Sequence, residues 1–132
     1  MNFFYLHAGF MLTATLLLLA GVSVAKFWRR KRWWLKAHRR TALAGVATMI
    51  AGFASAIMLV TLSGQPHFGP PHTWLGATTL SGIVLTPVLG FSQFRFPAHA
   101  AAIRSVHRWS GRVTLIMALI TITAGLMLAG IL

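Results

Sequence analysis

The sequence predicts an all-α integral membrane protein, a four-transmembrane-helix up-down bundle with both termini on the non-cytoplasmic side. Three observations predict it. Of the 132 residues, 57% are hydrophobic. The chain carries 12 Lys plus Arg and no Asp or Glu, so its charged fraction is 9%, all of it positive, where a soluble domain has about one quarter charged. Four apolar stretches are each long enough, at about 1.5 Å per residue, to cross a hydrocarbon core of roughly 30 Å.

The helices are expected at about 3–25, 35–62, 72–94 and 103–131, in one domain covering 1–132. The first stretch is read as an anchor and not as a cleaved leader. A leader has a positive segment ahead of its apolar run, and here no Lys or Arg precedes Lys26. The second apolar run, 41–62, continues helically toward its N-terminal side because 36–40 holds no Pro or Gly; the same reading takes the fourth back to 103. Between the second and third stretches, SGQPHFGPP at 63–71 is a turn-rich boundary with Pro poised to open the next helix.

The loop charges are one-sided. Lys26, Arg29, Arg30, Lys31, Arg32, Lys36, Arg39 and Arg40 lie between the first and second spans, and Arg95, Arg104, Arg108 and Arg112 between the third and fourth. The positive-inside rule puts both connections in the cytoplasm, as in a bacterial-type inner membrane. Trp28, Trp33, Trp34 and Tyr5 then fall at interface depth. Cations clustered at membrane flanks argue against nucleic acid as a partner and for the lipid bilayer with its anionic headgroups.

Composition excludes much chemistry. Without carboxylates there are no paired acid–base carboxylates, EF-hand loops or Ser-His-Asp triads. Without Cys there are no disulfides, thiolate zinc sites, iron–sulfur clusters or c-type haem attachments. Six His remain: His7, His38, His67, His72, His99 and His107.

Aligning the chain on His72 and His107 exposes a repeat offset by 35 residues, HTWLGATTL against HRWSGRVTL. Offsets of 4, 7, 11, 14 and 18 from the His trace one helix face. From His72 they give Gly76, Thr79, Ile83, Thr86 and Gly90; from His107, Gly111, Thr114, Ala118, Thr121 and Gly125. From His38 they give Ala42, Gly45, Met49, Gly52 and Ala56, and from His7, Met11, Ala14, Leu18, Gly21 and Ala25. Close packing of membrane helices accounts for a small stripe by itself. It does not require a His at the head of each, and ionisable residues in membrane bundles mark functional sites.

Alternating helix direction puts His7 and His72 at one level and His38 and His107 at the other, each pair on diagonal helices. Two imidazoles meeting across a bundle centre is the geometry of bis-His haem iron. A porphyrin between helices needs small residues, for which Gly45, Gly52, Gly76, Gly90, Gly111 and Gly125 are candidates. A single His near the interface can equally be a satisfied polar residue. His67, in the Pro-rich loop, is read as a surface residue, and His99, after Pro97, is the competitor of His107 as a ligand.

These residues resemble the core of the cytochrome b561 family, transmembrane di-haem b-type cytochromes, over about 120 of the residues. The strongest fragment is His72-Thr73-Trp74-Leu75-Gly76, similar to the family's His-Ser-Trp-Leu-Gly, supported by Lys36-Ala37-His38 and by His107 followed by Gly111. The resemblance implies two non-covalent haem b groups, with His7 paired to His72 and His38 to His107 as iron ligands. It also implies an electron-transfer cytochrome or oxidoreductase subunit with ascorbate or a quinol as reductant. Many relatives have six helices or a fused extracellular domain, whereas this chain matches only the core. Arg104, three residues before His107, is the candidate partner for a haem propionate. A redox partner protein or larger membrane complex is expected. The alternative is a structural or assembly anchor in such a complex, without turnover of its own.

Overall fold

A computed structural model describes residues 2–132, and among them all regular structure is helical. Helix α1 spans Phe3–Phe27, α2 Trp34–Ser63, α3 Pro71–Arg95 and α4 Ala100–Leu128, with a 3₁₀ turn at Pro97–His99 ahead of α4. All four helices are long and apolar enough to cross a membrane, so the chain is an all-α, multi-pass integral membrane protein.

Local chemistry explains the ends. The Asn2 side chain accepts from Phe4 N at 3.1 Å and caps α1. Helix α2 stops at Gly64, whose φ of 67° is left-handed. Helix α3 opens on Pro71, where a missing N–H costs nothing, and runs through Pro87, which membrane helices tolerate. Helix α4 departs from the sequence expectation at both ends. It starts three residues early because Pro97 opens a 3₁₀ turn that feeds directly into it. It stops at Leu128, short of 131, because Gly130 turns left-handed (φ 68°) while Ile131 N donates to Leu126 O and Gly130 N to Met127 O. That pair of bonds ends a helix even where the sequence stays apolar.

The chain divides into two compact units, 1–73 and 74–132. In the first, α1 and α2 form an antiparallel hairpin: late α1 meets early α2 at Gly21 against Thr41, and early α1 meets late α2 at Gly52 against Phe10 and Met11. In the second, α3 and α4 run antiparallel, with Thr79 Oγ1 2.9 Å from Thr121 Oγ1 and Thr86 Oγ1 2.7 Å from Ser110 Oγ. The sequence stripes are the packed faces. Among the described helical residues, every buried one except Thr15 and Ser55 belongs to a stripe. Those two hydroxyls donate to carbonyls four residues back, Met11 O and Ala51 O. No buried side-chain nitrogen or oxygen among the described residues lacks a hydrogen bond, as a chain surrounded by lipid requires.

Outward positions carry the apolar load, with Leu16, Ile50, Val88 and Ile116 each about half exposed. With no hydrophobic drive between helices in lipid, the hairpins depend on close backbone approach. A Cβ on Gly45 would sit 2.9 Å from Leu18 Cγ and 3.2 Å from Ala14 O, whereas one on Gly9 would meet nothing within 4 Å. Gly45→Val is therefore expected to lower the thermal unfolding midpoint of the detergent-solubilised protein, by the equivalent of about 1–3 kcal/mol. Gly9→Ala, measured alongside, should leave the midpoint in place.

Candidate functional site

Each helix carries one candidate His, and all four are half-buried, whereas His67 and His99 are exposed. Three of the rings are held in the same way. His7 Nδ1 is 2.8 Å from Gly52 O, His38 Nδ1 is 2.8 Å from Gly21 O, and His107 Nδ1 is 2.9 Å from Thr86 O. A carbonyl only accepts, so the ring N–H at Nδ1 donates. In a neutral imidazole this places the basic lone pair on Nε2, the tautomer suited to binding a metal through that nitrogen.

The acceptors follow one rule. Gly21, Gly52 and Thr86 each lie 14 residues after a His, namely His7, His38 and His72, and each receives the ring of the other helix in its hairpin or of its repeat counterpart. Fourteen residues are about 21 Å of helix rise, so a ring near one end of a helix meets the far end of its antiparallel neighbour. In the first hairpin the exchange is reciprocal: α1 gives His7 to α2 and takes His38 from it. Gly90 leaves room for the His107 ring, since a Cβ there would lie 3.0 Å from His107 Cε1 and 3.2 Å from Nδ1.

Within the first unit, the rings of His7 and His72 approach to 6.2 Å between centroids with planes at 79°. His38 has the Trp34 ring 6.3 Å away. The remaining candidates divide by environment. Gly45 and Gly52 face α1 side chains, whereas Cβ atoms on Gly76 and Gly111 would make only ordinary contacts, 4.0 Å to Thr121 Cγ2 and 3.5 Å to Thr86 Cγ2. Gly125 lies in the last turns of α4. Arg104 is exposed and its Nε donates to Gln93 Oε1 at 3.1 Å, while Gln93 Nε2 donates to Gly90 O at 2.8 Å. Gln93 escaped the sequence reading. Its signal is a lone amide three residues beyond Gly90, near the end of α3. His99 forms the N-cap position of α4, and His67 Nε2 lies 3.4 Å from Thr61 Oγ1 in the loop.

Among the described residues no group of three or more His, Cys, Asp or Glu gathers that could hold a bare metal ion.

The family model for eukaryotic cytochrome b561 matches residues 3–131, nearly the whole chain. No curated protein and no solved structure gives a match. The description of the family as eukaryotic lends no support to a bacterial inner membrane.

The Gly90 contact yields a test that needs no cofactor. Gly90→Val is expected to push the His107 ring off Thr86 O at a cost of about 1–3 kcal/mol, visible as a shifted Nδ1 resonance in nitrogen NMR. Gly111→Ala, with room for its methyl, should leave that resonance unchanged.

Proposed function

We propose, from the premise that this chain belongs to the cytochrome b561 family, that it passes electrons across the bilayer through two non-covalent b-type haems, one near each surface. Family membership supports haem-dependent transmembrane electron transfer as such. The count of two and the ligand pairs, His7 with His72 and His38 with His107, are the reading the residues favour. The observation that carries it is the 6.2 Å separation of the His7 and His72 rings. A metal bound at about 2 Å by one nitrogen of each ring, with each centroid about 1.1 Å further out, needs a centroid separation of roughly 6.3 Å. With Nδ1 of His7, His38 and His107 engaged by backbone carbonyls, each of these rings is set to ligate through Nε2.

A haem, when bound, supplies a reversible one-electron iron couple. The chain's own residues do the rest. The carbonyls of Gly21, Gly52 and Thr86 fix ring tautomer and orientation, and hydrogen-bonded Nδ1–H groups raise the basicity of the ligating nitrogen. Gly76, Gly111 and Gly125 are the candidates for haem clearance, whereas the space beside Gly90 is taken by the His107 ring and that beside Gly45 and Gly52 by α1 side chains. Arg104, steadied through Nε by Gln93, offers its remaining guanidinium donors to a propionate, an anion that a chain without carboxylates lacks. The basic connections face the cytoplasm by the positive-inside rule. A small anionic reductant or a quinol supplies the electron, and a redox partner or larger complex receives it.

Haem content of single-His variants tests the pairing. His7→Ala or His72→Ala should each remove one of two haems per chain, and His38→Ala or His107→Ala should remove the other. His67→Ala and His99→Ala should keep both. A reduced-minus-oxidised spectrum that still shows both haems in His107→Ala would overturn the assignment.

A further inference from the structure

The connection between α1 and α2 is dense in positive charge. Eight cations fall between residues 26 and 40, and no acidic side chain exists anywhere in the chain to answer them. Aromatic rings take up part of this charge: Lys26 Nζ lies 5.2 Å from the Phe27 centroid, and Arg29 Cζ 5.8 Å from that of Trp34. Lys36 and Arg40 stand apart. One turn from each other on α2, both exposed, they line an open groove of about 340 Å³ with Trp33, Ala37 and Thr41.

Three features define what this groove takes. First, it points away from the His38 site. On a helix of 3.6 residues per turn, the midpoint of Lys36 and Arg40 lies about 180° from His38, whose ring is turned to α1 through Gly21 O. Second, it sits on the first turns of a helix that has no side-chain cap and no acid at its start. Cations there oppose the positive end of the helix dipole, and an external anion would relieve both. Third, the groove opens onto an apolar track. Leu43, Ala47 and Ile50 continue the same face toward the membrane interior, all exposed, below the half-exposed ring of Trp33.

We propose that this groove is a binding site for an anionic phospholipid, with the phosphodiester between Lys36 and Arg40 and an acyl chain along Leu43, Ala47 and Ile50. A soluble anion would use the two cations but have no use for the apolar track. A zwitterionic lipid would use the track but leave the cations unanswered. The site rests only on the membrane-spanning fold, so it stands or falls separately from the haem pairing.

The test is retention of phosphatidylglycerol by the full-length chain, exchanged into detergent with equimolar phosphatidylglycerol and phosphatidylcholine and read by mass spectrometry of intact complexes. The wild type should keep one phosphatidylglycerol in preference to phosphatidylcholine. Lys36→Gln with Arg40→Gln should reduce that preference by about tenfold or more, whereas Lys31→Gln with Arg32→Gln, an equal loss of charge in the same connection, should preserve it. The exchange Lys36→Arg with Arg40→Lys should also preserve it, separating lost charge from lost fold, and Lys36→Gln alone should show a partial loss. Equal losses in the two double Gln variants would overturn the proposal in favour of diffuse attraction. Displacement of the lipid by glycerol 1-phosphate would overturn it in favour of a free-anion site.

Discussion

The hydrogen bond from an imidazole Nδ1 to a backbone carbonyl of another helix is the interaction on which the rest of this structure depends. His7, His38 and His107 all make it. In lipid a polar ring cannot be left without a partner, because an unsatisfied group there costs several kcal/mol. The chain has no carboxylates to act as acceptors, so the backbone takes the role. A helix carbonyl has a second lone pair beyond its own i+4 bond, and a ring reaches it only where the intervening side chain is small. Glycine at position 90, where a Cβ would lie 3.0 Å from His107 Cε1, meets that condition for His107.

One consequence is register. In the first hairpin two such bonds, near opposite ends of the helix pair, fix how far α1 and α2 slide past each other. Close contacts at Gly21, Gly45 and Gly52 fill the interval between them. In the second hairpin His107 and Thr86 play the matching part, with hydroxyl pairs at Thr79–Thr121 and Thr86–Ser110 bridging α3 and α4. The same bonds that close the hairpins leave the lone pair of a neutral His7, His38 or His107 ring on Nε2. Helix packing and the tautomer of these three rings are thereby tied to one geometric feature.

Much of this was legible in the sequence, because lipid imposes few and strict rules. Span lengths follow from bilayer thickness, and the face that packs follows from the spacing of Gly, Ala and Thr; Ala14, Gly45, Ile83 and Ala118 were placed correctly by periodicity. The offset of 14 was visible too, but only as a small residue. That its carbonyl would receive a ring depends on the three-dimensional register, which no linear pattern states. Hydropathy does not distinguish the Schellman turn at Gly130 from continued helix, so it carries α4 a few residues too far. A single amide at a helix end usually faces solvent, whereas Gln93 links Gly90 O to Arg104.

The function proposed for this chain is to carry electrons from one membrane surface to the other. Sealed liposomes containing the haem-loaded protein, with ferricyanide trapped inside and an impermeant reductant added outside, test that claim most directly. The trapped ferricyanide is expected to be reduced, and the reduction to stop in variants lacking either His pair. Reduction of the haems from outside with the internal ferricyanide left oxidised would contradict it.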